Sequence, residues 1–260
     1  MADPRATPWL ARRNPTVKLA LLFVCSLATL FLLDPLTLAV LYVLAGVAVA
    51  SSTRVGVGRL LVAQLPFIAF GVGLVVVNDL SRPGEPVLTG LPVRVTVEGV
   101  VIGVALALRT LLIGVLSVGF LVSTPPQLLM TSLVQHARLS PRISYAMLAG
   151  YRLLEVLPRQ WQTIRDAHAV RAPLDRHGRP VFGPRAAARS AFALLVVSIR
   201  AGERIALALE SRGLGTGPRT TWRPVPLDHR DALLVVAVGV AVAAVVVGCG
   251  PALLGGVRRG

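Results

Sequence analysis

Five apolar stretches divide the sequence, and each is close to the length that a helix needs to cross a bilayer. About 20 residues are required, because an α-helix rises about 1.5 Å per residue and the hydrocarbon layer is roughly 30 Å thick. The simplest expectation is therefore an all-α polytopic membrane protein with about five transmembrane helices. The predicted spans cover residues 17–33, 36–50, 60–78, 99–122 and 231–254. The first two are short and are separated by Asp34-Pro35, which predicts a tight helical hairpin.

A different pattern follows the fourth apolar stretch. From Pro141 onward, a mostly apolar set of residues recurs at alternating steps of four and three. This is the spacing of one face of a long amphipathic helix. Pro158 lies inside this helix and predicts a kink. The predicted seam consists of Ile143, Met147, Gly150, Leu154, Leu157, Trp161, Ile164, His168 and Arg171.

A second helix is predicted from about Pro184 to Ser211, after a loop rich in proline and glycine. Proline is favoured in the first turn of a helix, and Gly213 lies where a left-handed residue commonly terminates one. The helix contains the apolar run AFALLVVSI, which is too short to span a bilayer. We expect it to lie along or dip into the membrane interface, or to pack beneath the spans.

Both amphipathic helices finish close to an arginine, Arg171 in the first and Arg212 in the second. A cation at a helix C-terminus complements the helix dipole and contributes about 0.3–1 kcal/mol, so a purely structural role is open. Two such ends in one segment equally suit a shared docking role. The residues alone leave both interpretations open.

Positive charge is concentrated in the segment that holds these helices. The 260-residue chain has 27 basic and 12 acidic residues, and Lys18 is its single lysine. Between His136 and Arg230 there are 16 arginines and 6 acidic residues. Because loops rich in positive charge stay on the cytoplasmic side, this segment and the N-terminus are predicted to be cytoplasmic. A fifth span leaves the basic end GGVRRG outside, against the same rule.

Several kinds of chemistry have no motif in the sequence. No Gly-x-x-x-x-Gly-Lys-Ser/Thr motif occurs, so the chain does not build an ATP-binding P-loop. The acidic residues near the spans fall at their predicted ends, which argues against a proton relay or a cation path. The four histidines and two cysteines lack the spacing of a metal site or a disulfide framework. We expect no enzymatic activity, cofactor or metal site.

Arg109 is the one charge well inside a predicted span, about ten residues from its ends. A charge at that depth costs a few kcal/mol on insertion scales (about 2.5–3.5). One interpretation is an anchor that faces a neighbouring helix or a partner subunit within the membrane. The other is a tilted helix whose arginine extends toward the interface.

Short motifs occur in a fixed order along nearly the whole chain. RRNPTVKL precedes the first span and contains Pro-x-x-Lys-Leu, and VTVEGVVIGVALALRTLLIGVLSVGFLVSTPPQLL begins with Thr-x-Glu-Gly and leaves its span through Thr-x-Pro. The two arginine-ended helices follow. In this order the motifs resemble those of the transmembrane T component of energy-coupling factor (ECF) transporters, the CbiQ/EcfT family of prokaryotic vitamin and metal uptake systems.

The resemblance implies that the two amphipathic helices are coupling helices, each closing on an Ala-Arg-Gly motif that docks an ATPase subunit. The second motif is carried by Ser211, Arg212 and Gly213, preceded by Ala208 and Glu210 in the family's pattern. The first reads Val170-Arg171-Ala172, which keeps the arginine but lacks the alanine and the glycine. Without glycine a left-handed cap is disfavoured, so we expect Pro173 to end the first helix and its geometry to depart from the family.

The resemblance also implies the partners and the cargo. T components bind two ATP-hydrolysing subunits on the cytoplasmic side and a small S component within the bilayer, which binds a vitamin or a metal ion. The chain would thus be a non-catalytic coupling subunit with no nucleic-acid partner. The corresponding division is residues 1–135 for four spans, 136–228 for the cytoplasmic coupling helices and 229–260 for a last span.

Two other hypotheses remain open. A membrane permease that binds its own substrate would rely on Gln64 and Arg109, the main polar candidates in the spans. A membrane enzyme acting on lipid or polyprenyl phosphates would use the arginine cluster, but it would also need an acidic metal-binding motif that the sequence lacks.

Overall fold

The computed structural model describes residues 9–53, 56–81, 96–173, 176, 178, 180, 182–214 and 224–256, with residues 249–256 described by their backbone alone. Within these ranges the chain forms helices and short connections and no β-strand, which confirms the all-α prediction. A 3₁₀-helix at Trp9–Arg12 precedes the α-helices. These are α1 (Pro15–Leu30), α2 (Pro35–Thr53), α3 (Val57–Ser81), α4 (Val97–Ser123), α5 (Pro126–His136), α6 (Pro141–Ala169), α7 (Pro184–Ser211) and α8 (His229–Gly256).

Packing divides the chain into two compact units. The first, which we call the membrane unit, comprises Met1–Pro125 and Pro226–Gly260 and contains α1 to α4 and α8. The second, which we call the helical unit, comprises Pro126–Val225 and contains α5, α6 and α7. The chain therefore passes between the units at two junctions, Pro125–Pro126 and Val225–Pro226.

Four helices of the membrane unit are long and apolar enough to cross a membrane: α2, α3, α4 and the His229–Gly248 part of α8. The predicted second span was short at residues 36–50, whereas α2 extends over 19 residues. The first apolar stretch forms α1, whose 16 residues rise only about 24 Å, less than the hydrocarbon thickness of roughly 30 Å. Each of the five predicted stretches is thus helical, and α1 is the short one.

Close backbone contact between α3 and α4 organises the membrane unit. α4 carries Gly99 and Gly103 four residues apart, the small-residue spacing that allows membrane helices to approach closely. A methyl group at Gly103 would lie 2.8 Å from the Cα of Val75 in α3. The buried apolar core of this unit consists of Leu38, Leu41, Val49, Leu60, Ala105, Leu112 and Val115.

Large apolar side chains cover the outer faces of the membrane unit. Phe31, Val62 and Leu121 are 80%, 65% and 74% exposed. Exposing so much apolar surface to water would be unfavourable in free energy. Exposing it to lipid is not, because lipid tails are as apolar as these side chains. This surface agrees with a multi-pass membrane protein.

The ends of α6 and α7 agree with the sequence prediction. α6 begins at Pro141 and α7 extends over Pro184–Ser211, with proline in the first turn of each. Pro158 lies inside α6, and the helix continues past it to Ala169.

The face of α6 that packs differs from the predicted seam. In the first half of the seam, Ile143, Met147 and Leu154 are exposed. The face toward α7 there is formed by Ala146, Ala149 and Leu153, together with Gly150. A methyl group on Gly150 would meet no atom within 4 Å, so this part of α6 lines an open cleft beside α7, and Gly150 is the seam residue that takes part in it.

Candidate functional site

The candidate site consists of the C-terminal ends of α6 and α7 in the helical unit. These helices enclose a cleft of about 650 Å³. On one side, α6 contributes residues between Arg142 and Leu153, and on the other the chain contributes residues between Gly202 and Leu214. The start of α6 therefore faces the end of α7, so the two helices are antiparallel.

Antiparallel pairing places the two arginine ends at opposite ends of the helix pair. α6 has 29 residues and α7 has 28. Each therefore rises about 40 Å. Arg171 follows α6 beside the start of α7, and Arg212 follows α7 beside the start of α6. The two ends offer two separate contact points rather than one combined site.

The end of α7 is a Schellman motif built on Gly213. Gly213 has a φ of 73°, in the left-handed region that glycine adopts without strain. Its backbone N–H donates to the carbonyl of Glu210 at 2.8 Å, and the N–H of Leu214 donates to the carbonyl of Leu209 at 3.0 Å. These two bonds are the pair that defines the motif. The predicted left-handed termination at Gly213 is confirmed.

The motif fixes the backbone on both sides of Arg212. Arg212 is the capping residue, between the last helical residue Ser211 and the left-handed Gly213. Arg212 and Glu210 are exposed, as is Ala208, whose carbonyl accepts a hydrogen bond from the Ser211 hydroxyl at 3.1 Å. The position thus combines a defined backbone with an exposed arginine.

The end of α6 is built differently. Val170 and the two residues after it continue in tight right-handed turns, with the Arg171 N–H donating to the His168 carbonyl at 3.2 Å. The Ala172 N–H donates to the Ala169 carbonyl at 3.1 Å, and Pro173 follows. As expected from the missing glycine, this end has no left-handed cap.

Contacts outside the helix hold the chain near Arg171. The guanidinium of Arg165, on the last turns of α6, stacks on the ring of Phe182 at 4.9 Å and so joins α6 to the segment that leads into α7. Arg171 itself is exposed, and its guanidinium has no hydrogen-bond or ion-pair partner within the described ranges. Its charge is available to a partner at this end.

In the membrane unit, Arg109 of α4 binds the end of the short helix α1. Its Nη2 donates to the carbonyl oxygens of Leu30 at 3.2 Å and Leu32 at 2.7 Å. A helix end within a bilayer leaves carbonyls that water does not reach, and each unpaired one costs free energy. Arg109 supplies those hydrogen bonds, so it faces a neighbouring helix, as one of its two interpretations predicted. A contact with a partner subunit stays a prediction.

Gln64, the other polar candidate for substrate binding, is sealed between α3 and α4. It is 1% exposed, and its amide oxygen lies 3.0 Å from where a methyl group on Gly114 would be. Neither Gln64 nor Arg109 lines the apolar cavity of about 480 Å³ in the same unit. These positions weigh against a permease that binds substrate through the two side chains.

Two features near α5 were missed at the sequence level. α5 packs against α6 in the helical unit, and Arg138, just after it, has a φ of 54°. No glycine marks this left-handed position, so no local signal predicts it. Gln135 and His136, at the end of α5, bind both backbone polar groups of Val225 at 2.9 Å, although about 90 residues separate them in sequence.

Comparison with known proteins adds family information. The sequence profile of the CbiQ cobalt transport protein family matches residues 6–222. The chain is also 28% identical over 252 residues to a protein of Bifidobacterium longum (strain NCC 2705) whose name describes an ABC transporter ATP-binding protein. That alignment covers 90% of this chain but 31% of the relative, so the chain spans about a third of the relative's length.

Proposed function

The chain belongs to the CbiQ family of cobalt transport proteins, and we propose that it is the T component of an ECF-type importer. In this role it transmits ATP-driven motion from two ATPase subunits to a membrane-embedded S component, which takes up a vitamin or a metal ion. The chain itself is non-catalytic. The helical unit lies on the cytoplasmic side, where the excess of arginine favours it.

The observation that carries the proposal is the pair of exposed arginines at opposite ends of α6 and α7. Each guanidinium offers several donors in a fixed plane, which suits carboxylates or backbone carbonyls on a protein partner. Helices about 40 Å long separate the two ends enough to contact one ATPase subunit each. The Arg212 end has the more closely defined backbone, because Gly213 allows the two hydrogen bonds of the Schellman motif.

The Bifidobacterium relative supports an association with ATPases. Its name describes an ATP-binding protein, and it is about three times as long as the part that this chain matches. A segment similar to this chain therefore shares a polypeptide with an ATP-binding protein. Because the present sequence has no P-loop motif, ATP hydrolysis falls to partner subunits.

The apolar stripe on α6 supports contact with an apolar partner. Ile143, Met147 and Leu154 lie on one face of the helix, and all three are more than half exposed. An exposed stripe of this kind on a basic helix suits the membrane interface or the surface of the S component. The S component determines the cargo, and the family description, cobalt transport, makes a metal ion one candidate class.

The mechanism follows from these contacts. Closure of the two ATPase subunits around ATP moves the ends near Arg171 and Arg212. Since α6 and α7 are packed along the cleft between them, displacement of the ends moves the helix pair. The apolar stripe transfers that movement to the S component, which releases its substrate inward.

The double variant Arg171→Ala/Arg212→Ala tests the proposal. In proteoliposomes with ATPase subunits and S component, we expect it to lose ATPase binding and ATP-driven uptake, while the S component still binds substrate. Arg159→Ala/Arg200→Ala is a matched control, because these exposed arginines lie within α6 and α7 and their removal changes the net charge equally. Undiminished uptake by the docking variant would refute the proposal, and saturable substrate binding to the chain alone would favour the permease.

A further inference from the structure

Both junctions between the two units are held by the same short N-terminal segment. The chain leaves the membrane unit at Pro125–Pro126 and returns at Val225–Pro226. On the membrane side, the residues next to each junction bind the segment from Leu10 to Lys18. We call Leu10–Lys18 the N-terminal anchor.

Lys18 binds the first junction. Its Nζ donates to the backbone carbonyl of Ser123 at 3.0 Å and to the Ser123 hydroxyl at 3.2 Å. A third bond, to the Leu10 carbonyl at 3.2 Å, holds the ammonium within the anchor itself. Ser123 is the last residue of α4, where unpaired carbonyls and the negative end of the helix dipole favour a cation. Lys18 is 6% exposed, so water does not replace these bonds.

Asn14 binds the second junction. Its side-chain Nδ2 donates to the Pro226 carbonyl at 3.4 Å, and its backbone N–H donates to Asp231 Oδ1 at 3.1 Å. Asp231 lies in the first turn of α8, where a carboxylate is favoured, and it is 3% exposed. Its other oxygen accepts from the backbone N–H of Asp228 at 3.0 Å.

Arg13 reinforces the same junction. Its Nη1 lies 3.9 Å from Asp228 Oδ2, and its guanidinium stacks over the ring of Trp9 at 4.8 Å. Arg13 is 5% exposed. The residues that follow the second junction are therefore held by backbone and side-chain contacts. Pro226 and Asp228 each contact the N-terminal anchor, and Asp228 also donates a backbone hydrogen bond to Asp231.

We propose that the N-terminal anchor ties the end of α4 to the start of α8, so that the two points where the chain leaves and re-enters the membrane unit move together. The end of α4 cannot leave the anchor without breaking buried hydrogen bonds from the Lys18 ammonium, and the start of α8 cannot leave it without breaking the buried bond from the Asn14 N–H to the Asp231 carboxylate. A displacement that reaches both junctions then moves α4 and α8 together rather than separately. The source of that displacement rests on the proposed function, whereas the anchoring does not.

A transport assay tests transmission in the complex of the chain with its ATPase subunits and S component. We expect Lys18→Met and Asp231→Asn to lower substrate uptake per ATP hydrolysed by about tenfold or more, because Lys18 donates three hydrogen bonds and Asp231 accepts two, and the loss of one charge-assisted bond alone corresponds to about tenfold. ATP hydrolysis should persist, because the docking ends are intact. Arg59→Met and Glu98→Gln are matched controls, since these exposed residues at the starts of α3 and α4 carry the same charges.

Asn14→Ser covers the case in which Lys18→Met does not fold. Serine keeps a helix-capping oxygen for Thr16, whose N–H donates to Asn14 Oδ1 at 2.9 Å, but it lacks the amide donor for Pro226. We expect this variant to lower uptake per ATP as well. Unchanged uptake per ATP in a folded Lys18→Met or Asn14→Ser variant would overturn the transmission role.

A second measurement needs no partner and separates this proposal from the proposed function. Spin labels at the exposed residues Val122 in α4 and Leu233 in α8, in a background with Cys25→Ala and Cys249→Ala, report the distance distribution between the two helices that the anchor joins. We expect a broader distribution for Lys18→Met and for Asp231→Asn than for wild type or the two controls. Equal widths would overturn the anchor, whereas wild-type complexes without ATP-driven uptake would refute only the proposed function.

Discussion

The substitution Gly213→Ala tests whether the left-handed end of α7 is the docking geometry. Gly213 has a φ of 73°, and its N–H and that of Leu214 close the helix with bonds of 2.8 and 3.0 Å. Alanine adds a Cβ that this backbone disfavours. The helix end must then accept the strain or unwind and lose both bonds, and either result moves Arg212.

The expected size of the effect follows from the cost of the left-handed conformation. A residue with a Cβ pays about 1–2 kcal/mol there relative to glycine. If the ATPase subunit binds the end only in its left-handed form, that cost is subtracted from the binding free energy. The Kd for the ATPase subunit then rises about 5–30-fold, since each 1.4 kcal/mol is about tenfold. Asparagine tolerates the conformation better, so Gly213→Asn should fall between wild type and Gly213→Ala.

The assay is equilibrium binding of the purified ATPase subunits to the chain in lipid nanodiscs. Ala172→Gly is the matched control, because Ala172 follows Arg171 as Gly213 follows Arg212, yet its N–H bonds Ala169 in an ordinary right-handed turn. Glycine in such a turn costs about 0.5 kcal/mol, so the control should change the Kd about twofold. Wild-type affinity for Gly213→Ala, alongside weak binding by Arg212→Ala, would show that the left-handed end is not required.

Three further substitutions test the packing, each by thermal unfolding in detergent. Gly103→Ala should destabilise the membrane unit by about 1–3 kcal/mol, because its methyl group meets the backbone of Val75 at 2.8 Å. Gly73→Ala is the control, since a methyl group there has open space and should change little. Equal unfolding midpoints for the two variants would contradict the close α3–α4 contact. Gln64→Met should be neutral or stabilising by about 1 kcal/mol, because both amide atoms of Gln64 are buried without a partner in the described part of the chain. The variant should also retain transport. Loss of transport would make Gln64 a candidate substrate ligand again. Arg138→Gly should stabilise the protein by about 1 kcal/mol, since Arg138 holds a φ of 54°, and a lower midpoint would mean that its side chain contributes more than the strain costs.

Local features of the sequence predicted the helices and their ends. The apolar stretches became helices because membrane burial depends on composition over about 20 residues, which is readable without any contact. Pro141 and Pro184 begin α6 and α7 because proline has a fixed φ and no N–H to leave unpaired. Gly213 ends α7 in the left-handed region because glycine alone adopts it freely.

The contacts between distant segments were decided by the tertiary structure. The end of α1 gives Arg109 its role, since the last carbonyls of a helix lack partners within it, yet Leu30 and Leu32 are almost 80 residues away in sequence. Which face of α6 lies toward α7 depends on how the two helices are placed, and a periodic seam does not specify that placement. Arg138 adopts a left-handed φ that no residue preference would predict.

The N-terminal anchor shows most clearly the difference between what local sequence features predict and what the tertiary structure decides. RRNPTVKL was visible in the sequence as a motif, but nothing local says what Asn14 and Lys18 bind. Their partners, Asp231 and Ser123, lie 217 and 105 residues away. Hydropathy, proline and glycine act within a few residues, so the sequence by itself determined which segments are helical and where they stop. Hydrogen bonds from a buried charge to a distant backbone or side-chain group require distances near 3 Å across the fold, so only the tertiary structure decided which segments are tied together.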